Sequence, residues 1–120
     1  MKNFNNIKIR EYLETRDNYY QNTLKFLKKN NYRRASEFLW GSITQSLKFL
    51  AALRNIKIFS HKHFFDFVRD LSKELEEKEF YKTFLLLRDL HENFYDNKIK
   101  PEDFDLYLEN SNRFMKKLEE

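Results

Sequence analysis

The stretch Tyr32–Leu53, YRRASEFLWGSITQSLKFLAAL, constrains the fold more than any other part of the chain. At about 3.6 residues per turn, its apolar and small residues recur from Tyr32, Ala35 and Leu39 through Ile43, Leu47 and Leu50 to Leu53. They cover more than half of a helix circumference. Only a narrow strip of Arg33, Arg34, Glu37, Thr44, Gln45 and Lys48 stays polar. A surface helix shows a thinner apolar stripe, so neighbours are expected on two or three sides of this one. Ala35, Gly41, Ser42, Ser46, Ala51 and Ala52 are small enough to let those neighbours come close.

The neighbours should be helices. One Gly and one Pro in 120 residues leave almost no turn chemistry for strands, and no stretch alternates as a strand would. Apolar residues make up 41% of the chain, enough for a core and too much for a disordered segment. With no Cys, disulfides, thiolate metal sites and a catalytic thiol are excluded. The N-terminal MKNFNNIKIREY lacks the apolar run of a signal peptide, and nothing approaches the length of a membrane span. A cytoplasmic protein with no membrane association is expected.

Taken in order, helix 1 is predicted from Ile9 to Lys29, with Ile9, Leu13, Tyr20, Leu24 and Leu27 as its stripe and Asn30–Asn31 as its break. Arg16 falls inside that stripe, an unusual place for a cation. Helix 2 is the central element. In the connection NIKIF, Ile56, Ile58 and Phe59 are expected to plug one end of the core, and Ser60 suits an N-cap. Helix 3 (61–77) and helix 4 (80–95) each carry one apolar face, the latter widened by Leu86. Pro101, Glu102 and Asp103 suit the start of a fifth helix. No internal repeat or heptad run interrupts this pattern. Short breaks favour antiparallel sequential neighbours. The expected architecture is a single domain, residues 1–120, folded as an all-α, up-and-down four-helix bundle with an additional shorter C-terminal helix.

Charge is unevenly distributed. Residues 1–60 hold 12 Lys/Arg against 4 Asp/Glu and residues 61–120 hold 11 against 15, so the first half is +8 and the second −4. The excess gathers in Lys25, Lys28, Lys29, Arg33 and Arg34, around the first turn. Such a cluster can attract phosphates; it can equally be a solvated helix end whose cations complement the helix dipole.

Polar residues on apolar faces are the candidates for chemistry. His91 falls within the apolar stripe of helix 4, with Arg88 and Tyr95 one turn to either side. With Arg16 and His61 these form a candidate set of cations, imidazoles and a phenol. It could hold a phosphodiester, with His as general acid or base and Arg stabilising developing charge. The alternative is a core histidine hydrogen-bonded to its surroundings. A metal site is not expected: His61 and His63 are two residues apart and point to opposite sides of a helix, and neither HExxH nor Glu-x-x-His occurs. A single glycine, placed mid-helix, rules out a phosphate loop; Gly41 reads as a close helix crossing. Trp40 reads as packing or as part of an oligomer interface. Glu37 reads as a surface partner of Arg33 and Arg34.

Two segments carry a family resemblance. Ala35, Glu37, Trp40, Gly41 and Ser42 in ASEFLWGS, with Leu90, His91, Asn93, Phe94 and Tyr95 in LHENFY, resemble the archaeal PaREP-type paralogous family. That family is grouped with the HEPN-like helical domains, and the likeness runs from helix 1 through helix 5. It implies a dimerising helical bundle in a superfamily linked to RNA and nucleotide transactions. Many HEPN members are metal-independent ribonucleases or toxin components with an Arg-x4–6-His motif; others are noncatalytic partners of small nucleotidyltransferases. Here Arg54 and His61 enclose six residues across the helix 2–helix 3 connection, whereas Arg88 and His91 enclose two.

The leading expectation is therefore a noncatalytic HEPN-like module that forms a homodimer and binds RNA, a nucleotide or a partner protein such as a small nucleotidyltransferase. It requires no cofactor. Lys25, Lys28, Lys29, Arg33, Arg34, Arg16 and Tyr95 are its candidate binding residues. A metal-independent ribonuclease using His91, Arg88, His61 and Arg54 is the alternative, and an adaptor without nucleic-acid affinity is the third reading.

Overall fold

A computed structural model describes the backbone of residues 2–119 and the side chains of residues 7–119. It contains α1 (Lys2–Lys28), α2 (Tyr32–Leu53), α3 (His61–Glu74), α4 (Lys78–Asp96), a 3-10 turn at Pro101–Asp103, and α5 (Phe104–Leu118). The all-α bundle with a shorter C-terminal helix is the architecture expected from the sequence. α1 begins earlier than its apolar stripe, and α3 ends three residues sooner than its charged tail suggested.

A chain with one glycine must end its helices by other means. Asn30, Asn55, Glu76 and Asn97 all take positive φ, between 50° and 58°. After α1, Asn31 N–H donates to the Phe26 carbonyl and Asn30 N–H to that of Leu27; the same paired pattern follows Asn55 and Glu76. Asparagine tolerates the left-handed conformation, whereas Glu76 gains no such relief. Glu76→Gly is therefore expected to raise stability by about 0.5–1 kcal/mol. A urea midpoint that is unchanged or lower would contradict this account of the α3 terminus.

α2 is enclosed as its pattern demands. Ala35, Leu39, Ile43 and Leu47 have no exposed surface. α1 runs antiparallel along one side, with Phe26 stacked on Phe38 at 5.5 Å. At their crossing, a Cβ on Gly41 would lie 2.8 Å from the Tyr19 ring, so this glycine sets the approach of α1 to α2. α4 lies antiparallel on a second side. α5 follows α4 back, with Phe104 against Tyr32 at one end and Phe114 stacked 4.5 Å from Phe80 at the other.

α3 departs from the simple alternation. Arg54, which caps α2, pairs with Glu74 at the far end of α3 (2.7 Å). The His61 ring at the start of α3 packs against that of His91, which in turn meets Glu37 in the first half of α2. α3 therefore runs in the same sense as α2, and residues 55–60 travel back along the bundle between them. After the turn at Asn55, an extended run over 56–60 can span about 17 Å, most of the length of α3. The expected plug is only partly made. Ile58 packs against the core, but Ile56 is 43% and Phe59 78% exposed, so only one of the three expected side chains plugs it. Leu86 likewise faces outward, at 40% exposure, rather than widening the core face of α4.

Candidate functional site: an imidazole pair on the α2–α4 face

Ridge packing of α4 on α2 brings Glu37, Trp40 and His91 together. His91 Nδ1 lies 3.3 Å from Glu37 Oε1, and its ring stacks on Trp40 with centroids 5.9 Å apart. An ionised carboxylate only accepts, so Nδ1 carries the proton and Nε2 is left as the free acceptor. The crossover delivers the second imidazole: the His61 ring sits 4.9 Å from that of His91, inclined by 31°. Tyr95, one turn along α4, meets His91 edge-on at 5.9 Å and is 67% exposed. The site opens to solvent at His61 and Tyr95 and rests on Trp40, which is 3% exposed.

His91 thus lies at the rim of the core, partly exposed, rather than in the middle of the buried stripe. Trp40 forms the floor beneath it and stacks on Phe84 (5.4 Å), so its ring is not available at an outer interface. Glu37 turns to His91 rather than pairing with Arg33 or Arg34. Its second oxygen, Oε2, is buried with no hydrogen-bond partner. Such an atom carries an uncompensated desolvation cost, and here it belongs to the carboxylate that holds His91.

The other candidates are distributed as follows. Arg88 lies over the Phe65 ring at 5.7 Å and reaches Glu92 at 3.6 Å. Arg54 does not approach His61: it sits with Glu74 at the opposite end of α3, about 20 Å away along that helix. The six-residue spacing of Arg54 and His61 therefore forms no site. Arg16 does not join the imidazoles either. It pairs with Asp17 at 3.0 Å and with Glu119 at 2.5 Å, tying α1 to the end of α5, which explains a cation inside an apolar stripe.

The basic cluster is divided by its aromatic neighbours. Arg33 donates twice to the Phe94 carbonyl (2.9 and 2.6 Å), satisfying the C-terminal end of α4. Arg34 and Lys29 both lie near the Phe26 ring, at 5.6 and 5.8 Å from its centroid. Lys25 and Lys28 are exposed on α1. Lys29 and Arg33, joined by Lys100, line a shallow cleft of about 550 Å³ between the α1–α2 turn and the segment after α4. Arg33 is one helical turn from Glu37, so this cleft borders the imidazole pair.

A polar network supports α4 from the other side. Lys98 bridges Asp89 (3.1 Å) and Glu92 (2.9 Å), and Tyr107 donates to Asp89 at 2.8 Å. The hydrogen bonds that the Lys98 ammonium donates to Glu92 and Asp89 hold its pKa above its ordinary range. Burial, with Asp89 adding to it, pushes the Tyr107 phenol up to about 12. These carboxylates are engaged, so Glu37 is the acid that serves the imidazoles.

Among the described residues no three His, Asp or Glu side chains converge as metal ligands, and no helix is long and apolar enough to cross a membrane. His91, His61 and Tyr95, grouped as candidates from the sequence, do lie together, whereas Glu37, expected to pair with Arg33 and Arg34, lies against His91. The available signal for Glu37 was its place in ASEFLWGS, on the polar strip of α2 one turn before Trp40.

No curated protein and no solved structure matches the chain. The family model of the archaeal PaREP1/PaREP8 family matches residues 11–115, a span that contains Glu37, Trp40, His61, His91 and Tyr95. The chain belongs to the archaeal PaREP1/PaREP8 family.

Proposed function

We propose that the protein binds single-stranded RNA across the α2–α4 face and cleaves it by metal-independent acid–base chemistry at the imidazole pair. The supporting observation is the array Glu37–His91–His61, in which a carboxylate orients one accessible imidazole and a second lies 4.9 Å from it. In this reading, His91 Nε2 takes the proton of a ribose 2′-hydroxyl as its oxygen attacks phosphorus. His61, protonated, gives a proton to the departing 5′-oxygen, leaving a cyclic phosphate and a 5′-hydroxyl. Glu37 stabilises the imidazolium formed on His91. Arg33 and Lys29 in the bordering cleft draw the adjoining phosphates, and Tyr95 offers an aromatic face to a base. Grouping with the HEPN-like domains is part of the same proposal.

A second reading is the noncatalytic dimerising module that binds RNA, a nucleotide or a protein partner. It is favoured by Leu53 (54% exposed) and Leu75 (45%) bordering an apolar cleft at the other end of α2, a surface suited to a second chain. End-labelled single-stranded RNA, incubated in chelator, separates the two. Wild-type protein is expected to cleave it, His91→Ala to slow cleavage by about 100-fold or more, and Glu37→Gln to slow it less. RNA that stays intact at protein concentrations where it is bound would overturn catalysis and leave the module reading.

A further inference from the structure

The start of α3 is closed by a side chain that can take up a proton. Ser60 is the N-cap, in extended backbone, and its hydroxyl accepts from the His63 N–H at 3.4 Å. In a capping box the residue three positions after the N-cap is Glu or Gln, and its side chain reaches back to a backbone N–H. Here that position holds His63, whose Nδ1 accepts at 2.9 Å from the N–H of Phe59, one residue before the cap. The Phe59 ring, 78% exposed, rests edge-on against the His63 imidazole at 5.9 Å. One half-buried side chain therefore holds both the backbone and the ring of Phe59.

A glutamate would serve this role at any pH near neutrality, whereas an imidazole serves it only while neutral. To accept at Nδ1, the ring must carry its proton on Nε2. Once protonated, both nitrogens are donors and the Phe59 N–H loses its partner. The new charge would also stand in the first turn of α3, at the positive end of the helix dipole. Both effects have the same sign: the bond is present above the histidine range and is lost as pH falls through it. The surrounding charges do not offset the proton. Lys57 lies in the segment itself, and Lys62 and Asp66 lie on α3. Lys8 and Tyr12 of α1 and Lys48 of α2 line the cleft that Phe59 borders. The one carboxylate of this group, Asp66, pairs with Arg69 at 3.6 Å. Toward α4, Arg88 lies over Phe65, and Glu37 is taken by His91, whose ring packs against His61.

The bond sits where it can govern the imidazole pair. At the other end of the connection, the Ile56 N–H donates to the Ala51 carbonyl at 2.8 Å, and Ile58 packs against the core. Between Ile58 and the first turn of α3, the hydrogen bond of Phe59 to His63 is the backbone tie found among the described residues. His61 is the first residue of α3, so this tie fixes where its ring stands, 4.9 Å from that of His91.

We propose that His63 is a proton-operated latch. Neutral, it fixes residues 59–61 and sets His61 against His91; protonated, it releases the Phe59 N–H, frays the first turn of α3 and parts the two imidazoles. The latch stands on the hydrogen bond alone, and only its consequence for cleavage rests on the function proposed above.

Nuclear magnetic resonance of the full chain labelled with nitrogen-15 tests this without RNA, so the result is independent of whether the protein cleaves. At pH 8 the His63 ring nitrogens should report the Nε2–H tautomer. Between pH 8 and pH 5, protection of the Phe59 amide, taken relative to the unstructured exchange rate at each pH, should fall about fivefold or more. Cross-relaxation between the His61 and His91 rings should be lost over the same interval. His63→Asn offers the Phe59 N–H an amide oxygen that does not titrate, and should keep both signals at pH 5. His63→Leu offers no acceptor and should lack both at pH 8, with the rest of the helix content unchanged by circular dichroism. A proton on His63 Nδ1 at pH 8, or equal Phe59 protection at the two pH values, would overturn the latch. So would a His61–His91 contact that survives in His63→Leu. Loss of both signals at pH 5 in His63→Asn, as in wild type, would overturn it as well, because repulsion between protonated His61 and His91 would then be what opens the pair.

Discussion

Phe84→Ala is expected to lower the free energy of unfolding by about 3–5 kcal/mol, the largest loss at any single position of this chain. The ring has no exposed surface and touches every helix that packs around it. Its centroid is 5.4 Å from that of Trp40 on α2, 4.9 Å from Phe65 on α3 and 5.6 Å from Phe114 on α5. Removal takes away the transfer free energy of a large aromatic side chain and leaves a cavity bounded by three other rings. Rings held on separate helices cannot collapse inward without moving their backbones, so the void should stay largely open. A domain of this size is stable by about 5–15 kcal/mol, so the variant would sit near the edge of folding. Denaturant unfolding followed by the fluorescence of Trp40 measures the effect directly, since that indole stacks on the deleted ring. A loss under about 1 kcal/mol would mean that the four helices do not meet at Phe84.

Asn93→Leu is the second large effect, expected at about 2–4 kcal/mol. Asn93 is fully buried and spends both ends of its amide: Nδ2 donates to Ser36 Oγ at 2.8 Å, and Oδ1 accepts from the Ile99 N–H at 2.6 Å. Ser36 passes the chain of hydrogen bonds to the Tyr32 carbonyl at 2.7 Å. One side chain thus ties α4 to the start of α2 and to the segment that leads into α5. Leucine matches the volume but leaves the Ile99 N–H without an acceptor in the interior, and the cost of an unmade buried hydrogen bond exceeds the gain from an apolar replacement. Because Asn97 bonds back to the Asn93 carbonyl, the C-terminal turn of α4 depends on this anchor. Amide hydrogen exchange should show protection lost first at residues 93–100 in the variant. Equal stability to wild type, with unchanged exchange there, would refute the role of the network.

These two positions were legible to different degrees. Phe84 follows from helical periodicity, since it falls on the same face as Phe80, Leu87 and Leu90. Asn93 does not: a polar residue on that face announces nothing until its partners are known, and both lie on other segments.

The same division runs through the molecule. Near-absence of Gly and Pro, together with one helix apolar over most of its circumference, settled the all-α class, the bounds of α2 and its central place, because periodicity is a property of neighbours along one chain. The close crossing at Gly41 was readable for the same reason. What the tertiary structure alone decided is whatever depends on how helices meet. α3 runs in the same sense as α2, because residues 55–60 are long enough to return along the bundle. That one turn of topology sets His61 against His91 and parts it from Arg54. Glu37 lay on a polar strip beside two arginines, and short-range charge pairing pointed to them. The packing of α4 on α2 brought an imidazole within 3.3 Å instead, while Arg33 was drawn to the open carbonyl end of α4. Helical periodicity identifies which side chains face a partner; which partner arrives, and from which direction, is determined only by the packing of the whole chain.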